Sequence, residues 1–413
     1  MICLVCGESN KVFFETKNIP VCCNILWPTR AAAVASEQAE IRLAFCRSCG
    51  HIYNVASDPT RLNYDTSYDN SLHFSPRFQE YARELAVYLV ERYALHGKTI
   101  IDIGCGNAEF LSLLCQYGSN RGIGFDPSFI ANRADLTSGR GIEMIADEYS
   151  ERYSDRSCDL LCCRHMLEHV PNPRTMLGTI RRSLDKNPRT AVYFEVPNVL
   201  FTLRQNGVWD LIYEHCSYFG PQSLGRLFTS AGFHVRDVRE TFGGQYLSLE
   251  ALASCGNEYH PAADGTERLA ADVAAFCDYR AKLIEKWKVT FDQMRQSGQH
   301  AVVWGAGAKG TIFINTLREY RQIQYIPTSK AVTSPGPDRR SWRPPLRTPA
   351  RLQTNLSRRS RTERCRTRPS PPAFDRLGRA SGHNRIGEPA AVAASGKLHL
   401  SRAHFKERGL RGV

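Results

Sequence analysis

The chain has 413 residues, 42% of them hydrophobic, enough for two or three domains of about 100–200 residues each. No apolar run approaches the roughly 18–20 residues of a membrane-spanning helix, so no membrane partner is expected. The net charge of +13 is confined to the tail: residues 321–413 hold 21 Lys/Arg against 5 Asp/Glu, and the first 320 hold 33 against 36. A near-neutral body excludes a nucleic-acid partner argued from the isoelectric point alone. The first residues, Met1-Ile-Cys-Leu-Val-Cys6, show neither a basic segment nor an apolar leader. With 15 cysteines and two Cys-x-x-Cys pairs, the expectation is a reducing cytoplasm rather than a disulfide framework.

In chain order, residues 1–54 read as a small metal-binding module. Cys3 and Cys6 form one pair, Cys46 and Cys49 the other, with 39 residues between them. Two such pairs can close one tetrahedral structural zinc site. Residues 55–95 begin tyrosine-rich and become an amphipathic helix from about Pro76 to Tyr93, with Phe78, Tyr81, Leu85, Tyr88 and Leu89 at helical spacing. This segment reads as a helical substrate cap.

From 96 to 254 the pattern alternates strand and helix. Predicted strands are Thr99–Ile103, Gly122–Asp126, Ile142–Ala146, Asp159–Cys163, Ala191–Val196, Phe233–Val238 and Tyr246–Leu252. Five parallel strands followed by a helix and a closing pair predict a doubly covered sheet. Residues 255–325 predict a helical linker and then the strand–turn–helix start of a second α/β domain at Ala301-Val-Val-Trp-Gly-Ala-Gly-Ala-Lys-Gly310. The Gly305–Gly310 loop alone is weak support for a dinucleotide. Residues 326–413 are rich in Arg, Pro and Ser without periodicity. They read as a disordered basic tail or as a GC-rich coding sequence translated out of frame, which the nucleotide sequence decides.

Three groups of residues carry chemistry. The first is Asp102-Ile-Gly104-Cys105-Gly106 leading from a strand into a helix, with Asp126 ending the next strand. The glycines let backbone approach a ligand at the sheet's carboxyl edge, and the acid is placed for the hydroxyls of a ribose. Glu109 and Phe110 stand where a third glycine of a dinucleotide loop would fall. Asp147 follows the third strand, within reach of an adenine, and Arg164 ends the fourth, on the opposite wall. A nucleotide-binding domain of another kind is the competing reading. The second group is the four cysteines. The third is Trp209-Asp-Leu-Ile-Tyr-Glu-His-Cys-Ser-Tyr-Phe219, in the insertion after the fifth strand. His215 beside Glu214 is there a candidate general base, or else part of a surface turn packed on the core.

The glycine turn and its acid resemble motif I of the class I S-adenosylmethionine-dependent methyltransferases. Together with the cysteine pairs, Tyr213-Glu214-His215, Ser217-Tyr-Phe219 and the Gly305–Gly310 loop, residues 1–320 resemble the zinc-containing sugar C-methyltransferases. The implied fold is a Rossmann-like, seven-stranded α/β methyltransferase core with a small N-terminal zinc-binding module and an incomplete C-terminal α/β domain. The resemblance implies S-adenosylmethionine as donor, structural Zn2+, and a nucleotide-linked 4-keto-6-deoxyhexose as the small-molecule acceptor, in a cytoplasmic, monomeric enzyme. It gives His215 the role of base that generates an enolate, and Glu214 an orienting or hydroxyl-binding role. Tyr64, Tyr68 and Tyr213 face the substrate in that picture. The family motif resembles Tyr-His-Glu-His, and this chain is one residue shorter. Methylation at oxygen or nitrogen, and an inactive or binding-only remnant, are therefore the alternatives.

Overall fold

The computed structural model describes residues 1–23, 25, 32–33, 35–62, 75–129, 141–254, 265–303, 307–317 and 323–325. Tyr64, Tyr68, Gly305 and the whole tail after residue 325 lie outside the described residues. The chain divides into two units, one of Met1–Leu346 with Lys397–Val413 and one of Arg347–Gly396; all described residues belong to the first.

Seven strands make the main sheet: β4 (Thr99–Ile103), β5 (Arg121–Phe125), β6 (Ile142–Ile145), β7 (Leu160–Arg164), β8 (Ala191–Pro197), β10 (His234–Thr241) and β11 (Tyr246–Leu252). Their order is β10-β11-β8-β7-β4-β5-β6. β6, β5, β4, β7 and β8 pair in parallel, and β11 runs antiparallel between β8 and β10. The predicted strands are all present, with ends displaced by a few residues at most. β-Branched and apolar residues form these strands because both faces are covered. Ile101 and Ile103 pack with Leu177, Ile180, Leu224 and Leu227 on one side. Ile100 packs with Leu85, Leu89, Leu111 and Leu114 on the other.

Helix α1 (Pro76–Arg92) begins at Ser75, whose side chain accepts the Phe78 N–H, with Pro76 in the first turn. That is the expected start signal. Its tyrosines are not simply apolar. Tyr88 and, just beyond the helix, Tyr93 donate their hydroxyls to the buried Glu250 at 2.8 and 2.6 Å, and Tyr81 donates to the buried Glu195. Helices α2 (Glu109–Gly118), α3 (Pro173–Ser183), α4 (Val199–Arg204) and α5 (Pro221–Ser230) follow their strands.

The N-terminal residues form a second sheet of β1 (Val12–Pro20), β2 (Gln38–Phe45) and β3 (Ile52–Asn54), completed by β9 (Ser217–Tyr218). The fourth strand thus comes from the insertion after β8. β9 pairs antiparallel with β3, Ile52 opposite Tyr218 and Tyr53 opposite Ser217. Buried side chains of the sheet, the insertion and helix α6 (Gly265–Gln296) share one core, including Ile41, Ile52, Leu203, Tyr213 and Phe276. Beyond α6, β12 (Ala301–Val302) pairs in parallel with β13 (Ile323–Tyr325), and helix α7 (Ala308–Leu317) packs Phe313 and Leu317 against Phe291. No helix among the described residues is long and apolar enough to cross a membrane.

Candidate active site

The carboxyl ends of β4 and β5 build one wall. Gly104 and Gly106 have φ of 71° and 56°, in the left-handed region that favours glycine. A Cβ on Gly104 would lie 2.8 Å from the Met166 side chain, so only a bare backbone passes there. Asp126 is tied to this turn: the Gly106 N–H donates to its Oδ2 at 2.8 Å. The Ser128 N–H and hydroxyl reach its Oδ1 at 2.9 and 2.5 Å. Asp102 is buried on β4 opposite Cys162 of β7, and burial pushes its carboxyl up to about 7. Cys105 joins the two glycines of the turn.

Asp147 follows β6 as expected, half-buried. Its carboxylate accepts from the Tyr153 hydroxyl at 2.6 Å and pairs with Arg152. Arg164 departs from the expectation that it faces the donor. Its guanidinium donates to Glu195 Oε1 through Nε at 3.0 Å and Nη2 at 2.8 Å and lies 4.1 Å over the Phe110 ring. A buried guanidinium needs a counter-ion, and Glu195 of β8 is that partner.

Across the sheet edge, three side chains from two distant segments come together. Glu168 and His169 lie in the short helical turn after β7 and His215 in the insertion; their ligand-type atoms all fall within 4.8 Å of one another. The His169 and His215 rings meet edge to face with centroids 4.9 Å apart. Burial, aided by His169 and His165 beside it, holds His215 well below the ordinary imidazole range. It is therefore uncharged at neutral pH, though burial also makes it a weaker base than a solvated imidazole. His169 is held at about 4, again by burial. Its Nδ1 is 3.0 Å from the Glu214 carbonyl oxygen. Burial first, and Glu195 nearby, push Glu168 up to about 8.

Glu214 and Tyr213 point elsewhere. Glu214 Oε1 accepts the Cys23 N–H at 2.6 Å, which moors the insertion to the N-terminal sheet. Burial pushes its carboxyl up to about 7. The Tyr213 hydroxyl accepts the Asp58 N–H at 3.0 Å and donates to the Ala56 carbonyl at 3.2 Å. Its ring is fully buried. Expected to face the substrate, the Tyr213 hydroxyl here has both its hydrogen bonds on the 56–58 loop.

The four cysteines converge. Cys3 and Cys49 sulfurs lie 3.5 Å apart and those of Cys6 and Cys46 3.4 Å apart, with all four within 4.8 Å. Thiolates held at about 2.3 Å around a tetrahedral ion are separated by about 3.8 Å, so the donor set fits a single ion. Each pair closes a similar turn, since Gly7 and Gly50 donate to the Cys3 and Cys46 carbonyls at 3.0 and 2.8 Å. Both glycines have positive φ, 82° and 74°.

Two features escaped sequence reasoning. Glu195 gathers Arg164, the Tyr81 and Tyr193 hydroxyls and, 2.9 Å away, His165 Nε2. Burial pushes this carboxyl up, but Arg164 and His165 prevail and hold it at about 2. Its signal was one charge inside the apolar run Ala191–Pro197. The pairing of Glu168-His169 with His215 left no local signal.

Residues 76–238 match a family model described as a methyltransferase domain. The C-methyltransferase NovU of Streptomyces niveus is 30% identical over 254 residues, 57% of this chain and 59% of that protein. A ubiquinone biosynthesis O-methyltransferase of Pseudomonas aeruginosa (strain UCBPP-PA14) is 27% identical over 169 residues, 37% of this chain and 71% of its own length. The magnesium protoporphyrin IX methyltransferase (ChlM) of Synechocystis PCC 6803, solved with bound SAH, aligns at a TM-score of 0.35. At 17% identity, covering 45% of this chain and 90% of that one, this alignment is too weak to decide anything. The chain thus spans 59% of the C-methyltransferase relative it matches. The strand order, the glycine turn with its acid and the matched family model agree: the chain carries a methyltransferase domain of the S-adenosylmethionine-dependent class.

Proposed function

We propose that this protein transfers the methyl group of S-adenosylmethionine to a carbon beside a ketone on a nucleotide-linked deoxysugar. The observation that carries the reading is the place of His215, on the insertion that leaves the carboxyl end of β8 and beside Glu168 and His169. Carbon is not nucleophilic until its α-proton is removed, and a neutral imidazole is the usual side chain for that task. The 30% identity to a C-methyltransferase supports the same choice. In this reading Asp102 and the Gly104-Cys105-Gly106 backbone hold the methionine end of the donor, Asp126 its ribose and Asp147 its adenine. Glu214 orients the insertion that bears the base. Cys3, Cys6, Cys46 and Cys49 hold a structural zinc ion, and the enzyme works as a cytoplasmic monomer.

Deuterium exchange at the sugar α-carbon, run without donor in D2O, tests carbon chemistry directly. The wild-type enzyme exchanges, and His215→Ala loses about 10²–10⁴-fold of both exchange and methyl transfer. An active enzyme that never exchanges the proton is instead an O- or N-methyltransferase. The ubiquinone O-methyltransferase relatives favour that second reading. Calorimetric titration with S-adenosylhomocysteine tests the remaining alternative, an inactive or binding-only remnant, since a chain that binds none cannot be an enzyme of this class.

A further inference from the structure

Glu168 has a place in the site that the base alone does not explain. The residue is 2% exposed, and its Oε2 has no hydrogen-bond partner. An orphaned buried carboxyl oxygen bears its desolvation penalty uncompensated, so an isolated structural role is a poor account of it. Glu168 stands at the carboxyl edge of the sheet, in the turn after β7, and its main chain is anchored by the Cys216 N–H, which donates to the Glu168 carbonyl at 2.8 Å. The neighbour of Cys216 in the chain is His215. A carboxyl oxygen of Glu168 and a ring nitrogen of His215 therefore meet within 4.8 Å across two elements that a backbone bond holds in register.

We propose that Glu168 is the acid of this site, its carboxyl O–H donating a hydrogen bond to the acceptor's ketone oxygen while His215 removes the neighbouring α-proton. The proposal rests on the carbon-methylation reading above. Geometry supports it first. A base within about 3–3.5 Å of an α-carbon and a donor about 2.7 Å from the carbonyl oxygen act on atoms only two bonds apart. Their own separation must then be a few ångströms, as found. Chemistry supports it second. A buried carboxyl kept protonated at neutral pH can donate to an enolate oxygen, whereas an ionised one repels it. Burial holds Glu168 up at about 8, while His215 is held low, so the two environments separate acid from base.

The step balances. The α-C–H bond breaks and its proton passes to the His215 imidazole. The bonding pair becomes the C=C of the enolate, and the carbonyl π pair moves to oxygen, which accepts the Glu168 hydrogen bond. The enolate carbon then attacks the donor methyl: a C–C bond forms, the C–S bond breaks, and its pair stays on sulfur. The ketone is restored, Glu168 keeps its proton, and His215 releases the substrate proton to water.

The test uses the full chain, a thymidine-diphosphate-linked 4-keto-6-deoxyhexose as probe, and two variants: Glu168→Met, which has no donor, and Glu168→Gln, whose amide N–H still donates. Donor-free α-proton exchange in D2O is measured beside S-adenosylhomocysteine affinity and metal content. Loss of one well-placed donor to a developing oxyanion slows such reactions about 10²–10³-fold. Exchange and methyl transfer in Glu168→Met are expected to fall toward that range, with S-adenosylhomocysteine affinity unchanged, and Glu168→Gln to lose less. Exchange in Glu168→Met within twofold of wild type overturns the proposal. So does loss of S-adenosylhomocysteine binding in both variants, which makes Glu168 a packing residue. Loss of a metal equivalent beyond the cysteine-held one also overturns it, because Glu168 would then be a metal ligand with His169 and His215. Absence of exchange in the wild type is a different result, and it removes the carbon-methylation reading itself.

Discussion

The proposed donor wall and the proposed acceptor wall are built in opposite ways. The donor wall is one short stretch of chain, Asp102 to Gly106, closed on the end of the next strand by the Gly104 and Cys105 N–H groups at the Phe125 carbonyl and by Gly106 at Asp126. The acceptor wall draws Glu168 and His169 from one turn and His215 from an insertion. Its position depends on a third region, because β9 pairs with β3, Glu214 accepts the Cys23 N–H and Tyr213 braces residues 56–58. A strand end and a glycine turn can make a donor site almost unaided. The cluster of Glu168, His169 and His215 needs several elements to hold it together, and here the N-terminal sheet supplies support.

The largest effect expected is from Cys46→Ser. If the cysteine cluster holds zinc, losing a ligand removes a contribution of about 10 kcal/mol or more to folding of that module. It frees β3 and, through it, the insertion bearing His215. Methyl transfer should collapse, while S-adenosylhomocysteine binding, measured by calorimetry, should survive within a few-fold. Equal loss of both would erase the distinction between the two walls.

Next comes Glu195→Gln, which leaves Arg164 buried without its counter-ion at a cost of about 3–5 kcal/mol. Urea denaturation should show that loss. Its pH dependence carries a sign: the folded carboxyl is depressed from 4.5 to about 2. Its stabilisation is therefore complete above the ordinary value and disappears as pH falls through that window. Wild type should lose stability between those two values with a slope that Glu195→Gln lacks. Equal slopes in both proteins would show that the ion pair is not what acid breaks.

The smallest of the three is Asp126→Ala. A charge-assisted hydrogen bond is worth about 1.5–3 kcal/mol, so S-adenosylhomocysteine affinity should fall about 10- to 100-fold. Donor-free proton exchange should be untouched, since it needs only the acceptor wall. A parallel fall in exchange would show that the walls are not independent.

Much of the fold was legible because apolar periodicity and glycine placement are local. All seven strands of the main sheet and the helices at Pro76–Arg92, Glu109–Gly118 and Pro173–Ser183 follow from residue pattern, and the turn at Gly104 from two glycines. Legibility stopped where a side chain's partner is far away in sequence. Tyr81 and Tyr88 read as an apolar stripe, yet each ends on a buried carboxylate of a different strand. Arg164 read as a ligand-facing residue and is held by Glu195. Tyr213 read as a substrate contact and has its hydroxyl bonded to the 56–58 loop. In each case the residue type and the element were correctly placed, and the direction of the polar tip was set by packing.

The sequence by itself determined the donor turn, the seven-stranded core and the two cysteine pairs. Each depends on residues a few positions apart whose backbone demands are intrinsic. Tertiary structure decided that the cysteine pairs meet, that β9 joins the N-terminal sheet, and that Glu168 stands beside His215. Those are contacts between distant segments, and burial there sets the charge of each group. A histidine or a glutamate has a role only once its water has been taken away, and no short stretch of this chain removes that water alone.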